Sequence, residues 1–248
     1  GLASAVDLKE LQAGGSLRVL AVVDEREPEF FSLKGGTPSG FDLEVLQAFA
    51  RSQRLQLKVV PVPSWEALIP ALLEQKGDII AGRYTATPER RKRVSFTEEV
   101  FPSRTVLVTR RPHRPVTSLA LDQEKVGTVR GTSMVEALAA AGVPLARIDQ
   151  SLLTGTLSES LRSGKVTVAV WSLEGAMLAQ RRDPELELGA FVGPAESLAY
   201  ATRNADVALR AALDEHLRTI RRTGTWNRLA VKYFGAAAPE ILRKARAQ

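Results

Sequence analysis

Leu17 to Val23 reads LRVLAVV, apolar at all but one position and bounded by Gly14-Gly15 and the charged stretch Asp24 to Glu29. Such a run has little room for a solvent face, so it reads as a strand of a parallel sheet buried under helices. Parallel neighbours need long connections, and these follow. Leu43, Leu46, Phe49 and Ala50 recur at helical spacing over 43–51, with Asp42 as N-cap. Leu57 to Val62 is the next strand, Trp65 to Gln75 a helix kinked at Pro70, and Ile79 to Ala81 a short strand after the Gly77-Asp78 turn. The order predicts an α/β fold.

A second α/β unit follows the proline run near residue 112. Lys125–Val129 and Val166–Trp171 read as strands, and Ser133–Ala141, Ser158–Arg162 and Glu174–Arg181 as helices. A short strand over Ser197–Thr202 precedes an amphipathic helix over Ala205–Arg222, with Val207, Leu209, Leu213, Leu217 and Ile220 as its apolar stripe. A length of 248 residues, at about 150 per domain, suits one large domain or two small lobes.

Composition narrows the chemistry. With no cysteine, disulfides, thiolate metal sites, cysteine nucleophiles and iron-sulfur clusters are excluded. The two histidines, His113 and His216, have no ligand-like neighbour at helical spacing, so neither a metal nor another cofactor is expected. A net charge of +6 raises nucleic acid as a partner, but the clusters Arg90–Arg93, Arg110–Arg114, Arg181-Arg182 and Arg221-Arg222 are short and not interleaved with aromatics. No nucleic-acid partner is expected. No stretch approaches the roughly 20 apolar residues of a membrane span. The N-terminus lacks a signal-peptide layout, so an exported protein would be in its mature form here.

Three segments carry a resemblance. Pro38-Ser39-Gly40-Phe41-Asp42-Leu43-Glu44 follows the opening strand. Gly77-Asp78-Ile79-Ile80-Ala81 leads through Tyr84-Thr85-Ala86-Thr87-Pro88-Glu89-Arg90 to Val94-Ser95-Phe96-Thr97. Leu213 to Arg222 leads through Thr223-Gly224-Thr225-Trp226 to Lys232-Tyr233-Phe234-Gly235. In order and spacing, over 17–235, these resemble the bacterial extracellular solute-binding proteins of the polar amino acid type, the receptors of ABC importers. The resemblance implies a two-lobed periplasmic-binding-protein-like fold of type II, each lobe a mixed sheet flanked by helices, with a ligand cleft between them. It implies lobe 1 over 1–109 plus 198–248 and lobe 2 over 110–197, with hinges near Pro112–Pro115 and Gly193-Pro194.

The resemblance also implies a site. Arg90 aligns with the arginine that clamps the ligand's carboxylate, and a guanidinium fits a carboxylate as a fork. Thr87-Pro88 reads as N-cap and first residue of the short helix that carries it. Thr85 matches the small hydroxyl residue donating to the same anion. In the second lobe, Thr132 and Ser133 begin a helix whose exposed N–H groups favour an anion; ordinary capping is the alternative use of their hydroxyls.

Two positions depart from the pattern. Ser172 stands where receptors for α-amino acids carry an aspartate for the ammonium, with Glu174 as a nearby substitute. Gly82-Arg83-Tyr84 replaces a serine-rich stretch, and Arg83 adds a second cation. Phe30, Phe31, Tyr84 and Trp171 suit either a cleft wall or the core.

The expected function is a binding protein for a small carboxylate-bearing solute, an amino acid or related organic acid, captured by hinge closure. Its partner would be the membrane permease of an ABC importer, and the protein a periplasmic or extracellular monomer. Two alternatives stay open: a cyclohexadienyl or arogenate dehydratase-like enzyme with Glu174 as its acid, and the binding module of a larger membrane-bound lytic transglycosylase or sensor.

Overall fold

The structure, a computed structural model, describes residues 8–247. By its internal contacts the chain forms two units, the first comprising 8–101 with 197–235 and the second 102–196 with 236–247.

In unit 1, α1 (Leu8–Gly14) precedes β1 (Ser16–Ala21), α2 (Phe41–Ser52) and β2 (Gln56–Pro61). A single turn over Trp65–Ala67 leads into α3 (Leu68–Leu73), then β3 (Ile79–Ile80), α4 (Pro88–Arg91) and β4 (Ser95–Phe96). Pro70 does not kink a helix. It occupies the first turn of α3, where a missing N–H leaves no hydrogen bond unmade.

The chain leaves along β5 (Phe101–Arg110) and, in unit 2, forms β6 (Val126–Val129), α5 (Ser133–Ala140), β7 (Ile148–Leu152), α6 (Leu157–Arg162), β8 (Val168–Ser172) and α7 (Leu173–Arg182). It returns along β9 (Leu186–Leu198) and adds β10 (Ala201–Thr202), α8 (Val207–Arg222) and α9 (Thr225–Phe234) to unit 1. Finally α10 (Ala238–Arg246) joins unit 2.

Each unit has a five-stranded mixed sheet, in the orders β2-β1-β3-β10-β4 and β7-β6-β8-β5-β9. In the first, β1 runs parallel to β2 and β3, and β10 is antiparallel to β3 and β4. In the second, β6 runs parallel to β7 and β8, and β5 is antiparallel to β8.

The unit boundaries differ from the sequence expectation of 109/110 and 197/198. Residues 102–109 belong to unit 2 because β5 pairs with β8 from Thr105 to Val108. The tail divides after Gly235, because α10 packs against α7 and buries Ala238, Ile241 and Ala245.

The core of unit 1 joins Leu20, Leu68, Leu72, Ile80, Tyr84 and Phe96 around the sheet. Beside it Phe30, Phe41, Phe101, Trp226 and Phe234 form an aromatic cluster with ring centroids 4.9–6.2 Å apart, distances at which edge and offset contacts add to the gain from burial. The core of unit 2 is aliphatic, built on Leu107, Val126, Leu138, Val168, Val170 and Val192.

Candidate functional site

In unit 1 the relevant groups gather on the loops that follow the parallel strands β1 and β3. Gly40 shapes the first of them. Its φ is +123°, and a Cβ there would stand 2.5 Å from the Phe30 carbonyl oxygen, so only glycine fits. The N–H of Phe41 then donates to Glu29 O at 2.8 Å and that of Asp42 to Phe30 O at 3.0 Å, which ties the loop to the start of α2.

Asp42 is not the N-cap of α2. Gly40 holds that position, and the Asp42 side chain turns into the unit, 3% exposed. Its carboxylate accepts from Tyr200 Oη at 2.8 Å and from the N–H of Arg83 at 3.3 Å. Burial pushes this carboxyl up to about 6, with the two hydrogen bonds and the Arg83 charge opposing that rise. Burial and the adjacent carboxylate also raise the Tyr200 hydroxyl well above its ordinary value, so it stays a donor.

The segment that Asp42 holds is a left-handed turn, with φ of +87° at Gly82 and +60° at Arg83. The Arg83 guanidinium is ion-paired with Glu27 and lies 5.7 Å from the centre of the Phe30 ring. Glu27 therefore offsets the second cation noted in the sequence.

Beyond the turn, Thr87 caps α4 by accepting from the N–H of Arg90 at 3.2 Å, with Pro88 as first residue. Arg90 is 8% exposed. Its Nη1 donates to the Thr85 carbonyl at 2.8 Å, and its Cζ stands 4.0 Å from the centroid of the Tyr84 ring. Tyr84 in turn stacks on Phe96, 5.8 Å between centroids. The Thr85 carbonyl and the Tyr84 ring face both hold the guanidinium, and a pre-oriented guanidinium suits a bidentate carboxylate contact.

In unit 2 the helices α5 and α7 begin at the C-terminal ends of the neighbouring parallel strands β6 and β8. Thr132 is the N-cap residue of α5, yet its side chain does not cap the helix; its hydroxyl donates to Val129 O at 2.7 Å. Ser133 is buried, its Oγ 3.5 Å from the Met134 sulfur. Ser172 caps α7, accepting from the N–H of Gly175 at 3.3 Å. Glu174 is 1% exposed, and its carboxylate accepts from Ser103 Oγ.

The structure therefore brings Arg83, Tyr84, Thr85 and Arg90 together in unit 1, and places Thr132, Ser133, Ser172 and Glu174 along one sheet edge of unit 2. Phe30 and Phe31 are buried, with Phe30 inside the aromatic cluster. Trp171 is buried on β8 opposite Val106. Sequence reasoning missed three supporting groups. Glu27 lay unnoticed in a charged flank, and Tyr200 and Ser103 carry no local signal because their partners are 158 and 71 residues away. Among the described residues no helix is long and apolar enough to cross a membrane.

Comparison with known proteins sets this geometry in context. The chain is 27% identical over 222 residues to the membrane-bound lytic murein transglycosylase F of Desulfosudis oleivorans, covering 88% of this chain and 49% of that protein. It spans about half the length of the curated relatives of that name. It is also 27% identical over 209 residues to the histidine-binding periplasmic protein of Salmonella typhimurium, covering 79% of this chain and 78% of that one. Among solved structures, a mutant of ArgBP from T. maritima matches with a TM-score of 0.82 at 26% identity, over 92% of this chain and 98% of that chain. Residues 19–236 fit the model of one family, and the chain belongs to it: the bacterial extracellular solute-binding proteins, family 3.

Proposed function

We propose that this chain is a solute receptor that captures a small carboxylate-bearing molecule, with Arg90 as the carboxylate clamp. The observation that carries this reading is the buried Arg90 guanidinium, oriented by the Tyr84 ring and the Thr85 carbonyl. A desolvated, pre-oriented arginine recognises a planar anion better than a mobile surface arginine. Thr132 and Ser133 supply the second contact in this proposal, and closure of the two lobes on the ligand is part of it. Names of relatives such as the histidine-binding periplasmic protein support an amino acid or related organic acid as the ligand class. The receptor would deliver its ligand to an ABC permease from outside the cytoplasm, as a monomer.

The test is a thermal-shift screen of amino acids, keto acids and dicarboxylates, followed by calorimetry on wild type and Arg90→Ala. Binding by wild type and its loss in Arg90→Ala is the expected result. A hit whose affinity is unchanged in the variant removes Arg90 from the site. Incubation with prephenate and arogenate in parallel addresses the dehydratase reading; an aromatic product would replace the receptor reading with an enzyme.

A second reading is favoured by the half-length match to the transglycosylases: the chain is the solute-binding module of a larger protein. The same pocket chemistry applies, and the ligand then governs an attached activity instead of uptake. Loss of uptake, with binding by the purified chain retained, on deletion of a neighbouring permease would favour the importer over this reading.

A further inference from the structure

The Asp42 carboxylate joins two segments that are far apart in sequence. It accepts from the N–H of Arg83 in the left-handed turn and from the hydroxyl of Tyr200. Those segments are also bonded to each other, since the N–H of Ala199 donates to Tyr84 O at 3.0 Å and Thr85 bridges Leu198. Tyr84 and Thr85, immediately after the turn, are the groups that orient Arg90. An ionised Asp42 thus sits at the root of the path that aims the guanidinium.

We propose that Asp42 is a positioning residue of the anion site: its ionised carboxylate holds the Gly82-Arg83 turn, and its protonation loosens that turn and weakens ligand binding without Asp42 touching the ligand. This rests on the reading of Arg90 as the carboxylate clamp.

The physical reason is the charge on the acceptor. The carboxylate faces two donors and accepts from both. A protonated carboxyl can still meet both groups, because the Tyr200 hydroxyl can turn and accept, but it is then a neutral partner and the hydrogen bond it receives from Arg83 is weaker. The Coulomb attraction to Arg83 disappears at the same time. Burial places this change near neutrality, at about 6.

Other charged or titratable groups also pack around α2. From the loop after β1, Glu27 is paired with Arg83 and Glu29 lends its carbonyl to Phe41. From α8, His216 bonds Val45 O at 3.0 Å. From α9, Lys232 and Tyr233 meet Glu44 on the outer side of α2. Among the described residues, the hydrogen bonds to the Asp42 carboxyl come from Tyr200 and Arg83.

The test has a ligand-free arm and a binding arm, both run on the full chain. In the first, nuclear magnetic resonance follows the Arg83 amide and the Asp42 carboxyl carbon between about pH 5 and about pH 8. Both should titrate together, with Arg83 amide exchange, corrected for its intrinsic rate, faster on the acid side. Tyr200→Phe removes the hydroxyl that favours the ionised form, so the common midpoint should move upward. In the second arm, calorimetry measures pyruvate and L-arginine, whose carboxylates stay ionised over this range. Affinity for whichever probe binds should fall as pH drops through the midpoint, by at most about tenfold per pH unit, and level off at a weak acid-side value. Asp42→Asn, a neutral mimic, should bind at the weak acid-side level at every pH.

An Arg83 amide indifferent to the Asp42 titration overturns the proposal. So does an Asp42→Asn protein that keeps the wild-type pH profile. If neither probe binds at any pH, the carboxylate reading of Arg90 falls for both classes, while the amide arm still decides whether Asp42 governs the turn.

Discussion

Arg90 and Tyr84 form a cation-ring pair, the guanidinium carbon 4.0 Å from the ring centroid. Six residues of chain bring them together, because the cap at Thr87 starts α4 and turns Arg90 back over the strand-like segment at Tyr84 and Thr85. Arg90→Ala is therefore expected to cost on the order of 2–5 kcal/mol of binding, through loss of a charge-assisted contact in a desolvated site. Arg90→Lys keeps the charge but not the fork, and should fall much closer to the alanine variant than to wild type. Tyr84→Leu keeps the core filled but removes the ring face, at about 1 kcal/mol of affinity. Calorimetric titration of all three proteins with one ligand gives the ranking; a lysine variant as tight as wild type shows that charge alone is read.

Asp42 also makes stability depend on pH, with the sign of a carboxyl raised by burial and opposite to that of a carboxylate held low by an ion pair. Its value is raised from 3.8 to about 6 in the folded chain, so between those values the native state holds the proton more tightly than the unfolded chain does. The contribution is present in full below the lower value and is lost as pH rises through the upper one. The span is roughly two pKa units at about 1.4 kcal/mol each, or on the order of 3 kcal/mol. Asp42→Asn cannot titrate, so its stability relative to wild type should improve by that order between about pH 4 and about pH 7. Urea unfolding of both proteins at a series of pH values measures the difference, and a flat or opposite trend shows that the carboxyl is not raised.

Arg203 tests the framework of unit 1 away from the site. It is 2% exposed, donates to Asp206 at 2.8 Å and to the carbonyls of Leu72 and Gly77 at 2.7 and 2.8 Å, and lies 3.8 Å from Asp78. Arg203→Ala leaves Asp206, 1% exposed, without this cation and both carbonyls without this donor. The expected loss is about 3–5 kcal/mol. Arg18→Ala removes a partly exposed partner of the same Asp78, which keeps its hydrogen bond from the main-chain N–H of residue 18, and should cost less than Arg203→Ala. Equal losses in urea unfolding would mean that burial does not set the cost of breaking this network.

These residues also show what a sequence reveals and what it conceals. β1, α2, β2 and α8 were legible because an apolar run or a 3.6-residue stripe is local. The Gly40-Phe41-Asp42 motif was legible as a pattern, but its reason is tertiary: Gly40 fits under the Phe30 carbonyl, and Asp42 reaches Tyr200. β5 escaped notice because Arg104 and Thr105 interrupt its apolar pattern, and it becomes a strand by pairing with β8. β9 was hidden by its glycines and Pro194. Gly189, which reads as a breaker, lies inside β9 at a position where a Cβ would stand 2.2 Å from the Val116 carbonyl oxygen, so glycine is what fits there. Arg90 and Thr85 stand out in the sequence through the resemblance alone, as parts of the proposed clamp, whereas Glu27 and Ser103 meet their partners through side-chain contacts that no spacing rule encodes.

Ser172 bears on which ligands are accepted. It stands where the family resemblance expects an aspartate for an α-ammonium group, and its hydroxyl is committed to capping α7 through the N–H of Gly175. Glu174, the available substitute, is buried and accepts from Ser103, which favours an inward, structural orientation over an ammonium contact. An ammonium group desolvated without an anionic partner costs roughly several kcal/mol, so neutral α-amino acids are expected to bind weakly beside carboxylates that lack the ammonium. Ser172→Asp should reverse this order, and because aspartate is as good an N-cap as serine, α7 should keep its start. Calorimetry of wild type, Ser172→Asp and Glu174→Gln with alanine, glutamine and pyruvate separates the cases. Micromolar binding of alanine or glutamine to wild type refutes the expectation, and its loss in Glu174→Gln would then identify Glu174 as the compensating carboxylate.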